Sequence, residues 1–156
     1  MRDQIILSGM AILQPAVALM AWTMIMWAWM YVTRLPAMQK ANLDPDSLAR
    51  DPDSSLDRLL PREVQWKAHN YNHLHEAPTL FYAVVIVLAY VGHGEGINVT
   101  LAWAYVTLRV VHSLVQSTVN KVALRFALFA LSSLVLAALI VQAAVVVFGL
   151  ADQAGS

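Results

Sequence analysis

The 156-residue chain contains no cysteine. That excludes disulfides, thiolate metal ligands and a cysteine nucleophile, so any thiol chemistry must come from a bound small molecule. Charge is also scarce: Asp, Glu, Lys and Arg together make up 13% of the residues, whereas 59% are hydrophobic. A soluble domain of this length needs far less apolar surface, and the excess implies an integral membrane protein. The net charge is zero and the basic residues form no stripe with interleaved aromatics, so nothing in the sequence points to a nucleic-acid partner.

From Gln4 to Thr33 no residue is charged. The run is long enough to span a bilayer with some tilt and reads as a first transmembrane helix over about residues 5–33. It is too long for a signal peptide, is preceded only by Arg2, and lacks a small-residue cleavage site after Trp27, Trp29 and Tyr31. Those aromatics suit an interfacial belt before Arg34. Residues 34–62 hold four of the six prolines and the sequence DPDS twice, at 44–47 and 51–54, and read as a surface loop. The aspartates lack the ligand spacing, central glycine and terminal glutamate of a calcium-binding EF-hand, so they are assigned to turns and caps. Pro61 marks the start of a second helix.

The apolar run from Ala77 to Val91 has 15 residues, which as helix covers only about 22 Å of a core about 30 Å thick. The second helix must therefore reach back through Asn72, His73 and Glu76, giving a span of about 63–91. After the turn GHGEG at 92–96, further spans are expected at about 97–119 and 122–150. The chain is thus an all-α, integral membrane four-helix bundle in a single domain. Six of the ten lysines and arginines lie between Arg34 and Lys67. By the positive-inside rule that loop is cytoplasmic and both termini face the other side.

Polar residues inside these spans carry the chemistry. On the third helix Tyr105, Arg109, His112, Gln116 and Asn120 fall within an arc of about 80°. On the second, His69, Asn72, His73 and Glu76 share a face. Counting from the turn, Glu76 and His112 lie at similar depth and can meet. An arginine in mid-membrane costs at least about 2.5 kcal/mol and must face a partner or a wet cavity. A Glu76–Arg109 ion pair serving as helix glue is one reading. It leaves an excess of positive charge unexplained, because Arg109, Arg125, Arg34 and Lys67 stand against Glu76 alone, and such an excess in a partly desolvated cleft favours an anion. His69, His73 and Glu76 share a face with metal-ligand spacing, but a membrane di-iron oxidase needs more than the five histidines present. A small proton-coupled exporter would carry its glutamate in the first helix, which has none.

The segments KAHNYNHLHEAPTLFYAVV and LAWAYVTLRVVHSLVQSTVNKVALRFALFALSSLVL resemble the MAPEG family, the membrane-associated proteins of eicosanoid and glutathione metabolism. The resemblance covers all four helices in length and order, and residues 66–136 in detail. It implies a bacterial-type, inner-membrane homotrimer that binds glutathione as co-substrate between protomers near the cytoplasmic face, with no metal. A lipophilic electrophile or peroxide would enter from the surrounding lipid. By the same resemblance, Asn72 and Glu76 hold the tripeptide's backbone and amine, with His73 as the alternative to Asn72 because the spacing is four rather than three. Arg109 and His112 match the third-helix pair, Arg125 matches the arginine beside the glutathione thiol, and Arg34 loosely matches a basic residue at the end of the first helix. Gln116 stands where several glutathione-using members have a tyrosine; it can donate a hydrogen bond to a thiolate but cannot ionise. Thiol activation is then expected to rest on Arg125. Two functions follow: a glutathione-dependent transferase or peroxidase, or a non-catalytic lipid-binding or scaffold member of the family.

Overall fold

Polar groups of the backbone cannot be left bare in lipid, so a chain with these apolar runs must satisfy them within helices. The computed structural model describes residues 9–44, 46 and 56–149, and all its regular elements are helical. They are α1 (Leu13–Lys40), the single-turn α2 (Leu56–Leu59), α3 (Arg62–Glu76), α4 (Pro78–Tyr90), α5 (Ile97–Ser117) and α6 (Val122–Val147). The expected beginning of the first span near residue 5, the second DPDS repeat and Leu150 lie outside the described residues. Of the first repeat, Asp44 Oδ1 accepts the Asp46 backbone N–H at 3.2 Å, a local turn of the kind expected from aspartate.

Three units are long and apolar enough to cross a membrane: α1, the combined α3–α4 stretch Arg62–Tyr90, and α6. The protein is an integral membrane protein. α5, with 21 residues, is long enough at about 31 Å. Its polar side lowers its hydropathy, and that side is turned inward: Tyr105, Arg109, His112, Ser113, Gln116 and Ser117 are all buried. α5 packs most extensively on α6, and α1 lies against α3, α4 and α5.

Two boundaries differ from expectation. α1 continues to Lys40, past Arg34 and through Pro36, so Arg34 lies inside the helix rather than at its exit. It stops where Asn42 takes a left-handed φ of 50° and Leu43 N–H bonds the Met38 carbonyl, an αL closure that asparagine tolerates. The second span is interrupted at Pro78, which has no N–H to give the Leu74 carbonyl. Ala77 keeps helical dihedrals, so α3 and α4 run on as one interrupted helix.

The core joins Ile12, just before α1, and Leu19 and Met26 of α1 to Leu74, Phe81, Val85 and Leu88 of α3–α4 and to Leu136 and Leu139 of α6. Phe81 stacks on Tyr105 with ring centroids 4.4 Å apart. Below that stack α5 runs beside α3 in a fixed register. The Tyr105 hydroxyl donates to the Ala77 carbonyl (3.4 Å), Arg109 reaches His73, and Asn70 Nδ2 donates to Ser113 Oγ (2.6 Å).

Candidate functional site

This register decides which polar residues meet. Glu76 and His112 do not meet: Glu76 is exposed and makes no ion pair, and Arg109 finds no carboxylate among the described residues. His73 occupies that place instead. More residues separate Ala77 from Tyr90 than Tyr105 from Ile97, so counting both helices equally from the turn displaces the pairing. The turn itself folds back towards the bundle, with the Gly94 carbonyl accepting Ile12 N–H at 3.1 Å.

Arg109 is 1% exposed, and its Nη2 donates to His73 Nδ1 at 2.6 Å and approaches the His73 carbonyl at 3.4 Å. Its Nε and Nη1 are buried without a partner. The His73 ring stacks on His112 (5.1 Å, 27° between planes) and meets the edge of Phe129 at 5.7 Å. His112 Nδ1 is likewise buried and unpartnered.

The third component comes from the short connection between α5 and α6. Asn120 turns the chain with φ 48°, and its side-chain oxygen accepts Arg125 Nη1 at 2.6 Å. Arg125 is thereby held over the start of α6, its Nε buried and unpartnered. Ser132 and Ser133 on α6 both donate to the Phe129 carbonyl at 2.9 Å and so serve the helix itself. Together His73, His112, Arg125, Val122, Phe126 and Phe129 line a cleft of 210 Å³. Its outer side is apolar and open, with Val122 75% and Phe126 71% exposed.

The other expected site residues are elsewhere. Asn72 is exposed with Glu76 on the outward side of α3. Gln116 is buried with its Oε1 unpartnered, and it does not line the cleft. Arg34 packs in a crevice with Leu56, Leu60, Val64 and Gln65. Lys67 lies over the Trp29 ring at 5.6 Å, and His69 faces Asp57 at 3.3 Å, so neither joins His73.

Asn70, Ser113, Phe126 and Phe129 were not singled out from the sequence. The signal for Asn70 was present: Asn70, His73, Leu74, Ala77 and Phe81 follow the i, i+3, i+4, i+7 pattern of one inward face. Grouping the polar residues of α3 by themselves placed Asn72 and Glu76 on that face, whereas the apolar spacing puts them opposite it.

An arginine held by an amide, two stacked imidazoles and an apolar doorway form a cleft set into a four-helix membrane bundle, with the buried Arg109 behind His73. No curated protein and no solved structure gives a significant match to the chain. The model of the MAPEG family matches residues 12–145, nearly the whole bundle with the cleft inside it, and the chain belongs to that family.

Proposed function

We propose that the protein is a membrane-bound, glutathione-dependent transferase or peroxidase acting on lipophilic electrophiles or lipid hydroperoxides. The observation that carries this reading is the set of orphaned donors: Arg109 Nε and Nη1 and Arg125 Nε are buried, cationic and without an anion. Buried charges are expected to be paired, so these groups ask for a negatively charged partner. Glutathione fits that demand, because its carboxylates and thiolate are anions and this chain has no thiol of its own. When bound it supplies the sulfur that bonds to an electrophilic carbon as the leaving group departs, or, with a second glutathione, the two electrons that reduce a hydroperoxide to alcohol and water.

The chain's own residues divide the work. Arg109, kept in place by His73, takes a carboxylate; His112 completes the polar surface of the cleft; Arg125, at its rim, stabilises the thiolate; Asn72 and Glu76, on the outward side of α3, reach the tripeptide only from a neighbouring protomer. Val122, Phe126 and Phe129 admit an apolar co-substrate from the lipid. At 210 Å³ the cleft is below the roughly 300–1,000 Å³ of common small-molecule pockets. A site of that size supports completion by a neighbouring protomer, in a homotrimer of the bacterial inner membrane with both termini away from the cytoplasm. Arg34 then serves packing at the loop end rather than binding.

Calorimetry on the detergent-solubilised protein tests the reading. Saturable glutathione binding is expected, and Arg125→Ala should lower turnover at least tenfold while changing affinity less than turnover. No binding at millimolar glutathione overturns it. Gln116, which cannot ionise, favours a second reading in which the same cleft binds lipid or glutathione without chemistry. Binding with no conjugate and no peroxide reduction would select that alternative.

A further inference from the structure

The His73 ring has its tautomer set by its neighbour. A guanidinium cannot accept a hydrogen bond, so Arg109 Nη2, 2.6 Å away, must donate to the Nδ1 lone pair. In the neutral ring the proton then sits on Nε2. Nε2 bonds to nothing among the described residues and is not among the buried unpartnered atoms. The ring lines the cleft together with Arg125. Stacking on His112 and the edge contact with Phe129 hold its plane. The charged groups facing it are Arg109 and Arg125, with His112 titratable across the stack and Glu76 on its own helix.

We propose that His73 Nε2–H is a second hydrogen-bond donor, beside Arg125, to the sulfur anion in the cleft, and that it supplies from α3 the donor that Gln116 does not supply from α5. The proposal rests on the glutathione reading. Arg109 has a double part in it: its charge polarises the imidazole, making Nε2–H a stronger donor, and its hydrogen bond keeps the proton on the cleft side. No covalent bond to the protein forms. The thiol proton leaves to water, and the sulfur keeps the electron pair.

The test is the ultraviolet thiolate band of bound glutathione, followed against pH. His73→Phe keeps a ring for stacking but has no donor, and His73→Gln keeps a donor. His73→Phe also removes the acceptor for Arg109, so it is expected to bind glutathione more weakly and, compared at saturating glutathione, to lose about tenfold in thiolate fraction at neutral pH, one unit of thiol pKa. His73→Gln should stay near the wild type. A second measurement uses the unmodified sequence: with nitrogen-15 histidine, the His73 Nε2 resonance should report a protonated nitrogen that shifts with glutathione and not with S-methylglutathione. An unchanged thiolate fraction in His73→Phe at saturating glutathione, or a proton found on Nδ1, overturns the proposal and leaves the glutathione site standing. Failure of the wild-type protein to bind glutathione overturns both.

Discussion

Arg109 is buried beside a neutral imidazole, with two of its nitrogens unpaired. A side chain retained only to tie helices together would have its donors matched, as Asn70 and Ser113 are matched at 2.6 Å one turn away. The incomplete match separates a binding role from a gluing role, and methionine distinguishes them because it keeps length without charge. An uncompensated buried charge carries a desolvation cost that an apolar residue of similar length does not, and even whole buried ion pairs are often replaced by apolar residues without loss of stability. Arg109→Met is therefore expected to unfold in detergent at the same temperature as the wild type or higher, while glutathione binding is lost. A drop in melting temperature with binding retained would identify Arg109 as glue. Thermal unfolding monitored by circular dichroism, paired with calorimetry, reads both quantities.

At the scale of elements, the loop end of the bundle is organised by one residue outside the cleft. Gln65 is buried on α3, and its amide nitrogen donates to the carbonyls of Asp57 (2.5 Å) and Leu60 (2.6 Å) and approaches that of Leu56 (3.4 Å). The Leu56 carbonyl already accepts Leu60 N–H at 3.0 Å, whereas those of Asp57 and Leu60 are ones a single-turn helix cannot satisfy itself, so Gln65 caps α2 from its neighbour. Gln65→Leu keeps the volume but strands the buried Leu60 carbonyl, at about 1–3 kcal/mol, and releases the part-buried Asp57 carbonyl to solvent. Faster cleavage of the 41–61 connection by a soluble protease is the expected outcome, and an unchanged rate would remove the capping role. Much of this architecture was legible beforehand: the four apolar runs, the start of α3 at Pro61 and the inward stripe of α5 follow from hydropathy and 100° periodicity. What was not legible has a common cause. The pairing of His73, rather than Glu76, with Arg109 depends on the contacts that fix α5 against α3, Tyr105 with Ala77 and Asn70 with Ser113, and on the missing bond at Pro78. Neither leaves a periodic trace in the residues of α3 or α5.

For the whole molecule, the end remote from the cleft is closed by backbone meeting backbone. Gly94 is buried in the turn, its carbonyl accepts Ile12 N–H at 3.1 Å, and a Cβ added there would run into the Gly9 carbonyl. A Cβ on Gly9 would in turn lie 2.7 Å from the Ala89 carbonyl oxygen. The obstructing atoms are backbone, which cannot rotate aside as a flexible side chain can, so the beginning of α1 must move off the turn. Overpacking of this kind costs about 1–3 kcal/mol. Gly94→Ala should therefore lower the melting temperature by several degrees. The cleft lies towards the other end of α5, with His112 about 22 Å of helix beyond Ile97. Between the two, the contacts of Phe81 with Tyr105, Ala77 with Tyr105, His73 with Arg109 and Asn70 with Ser113 hold the register independently of the turn. Glutathione affinity measured well below the melting temperature is accordingly expected to match the wild type. A parallel loss of affinity would mean that the turn sets the register of α5 against α3, and that the row of contacts along the helix follows it.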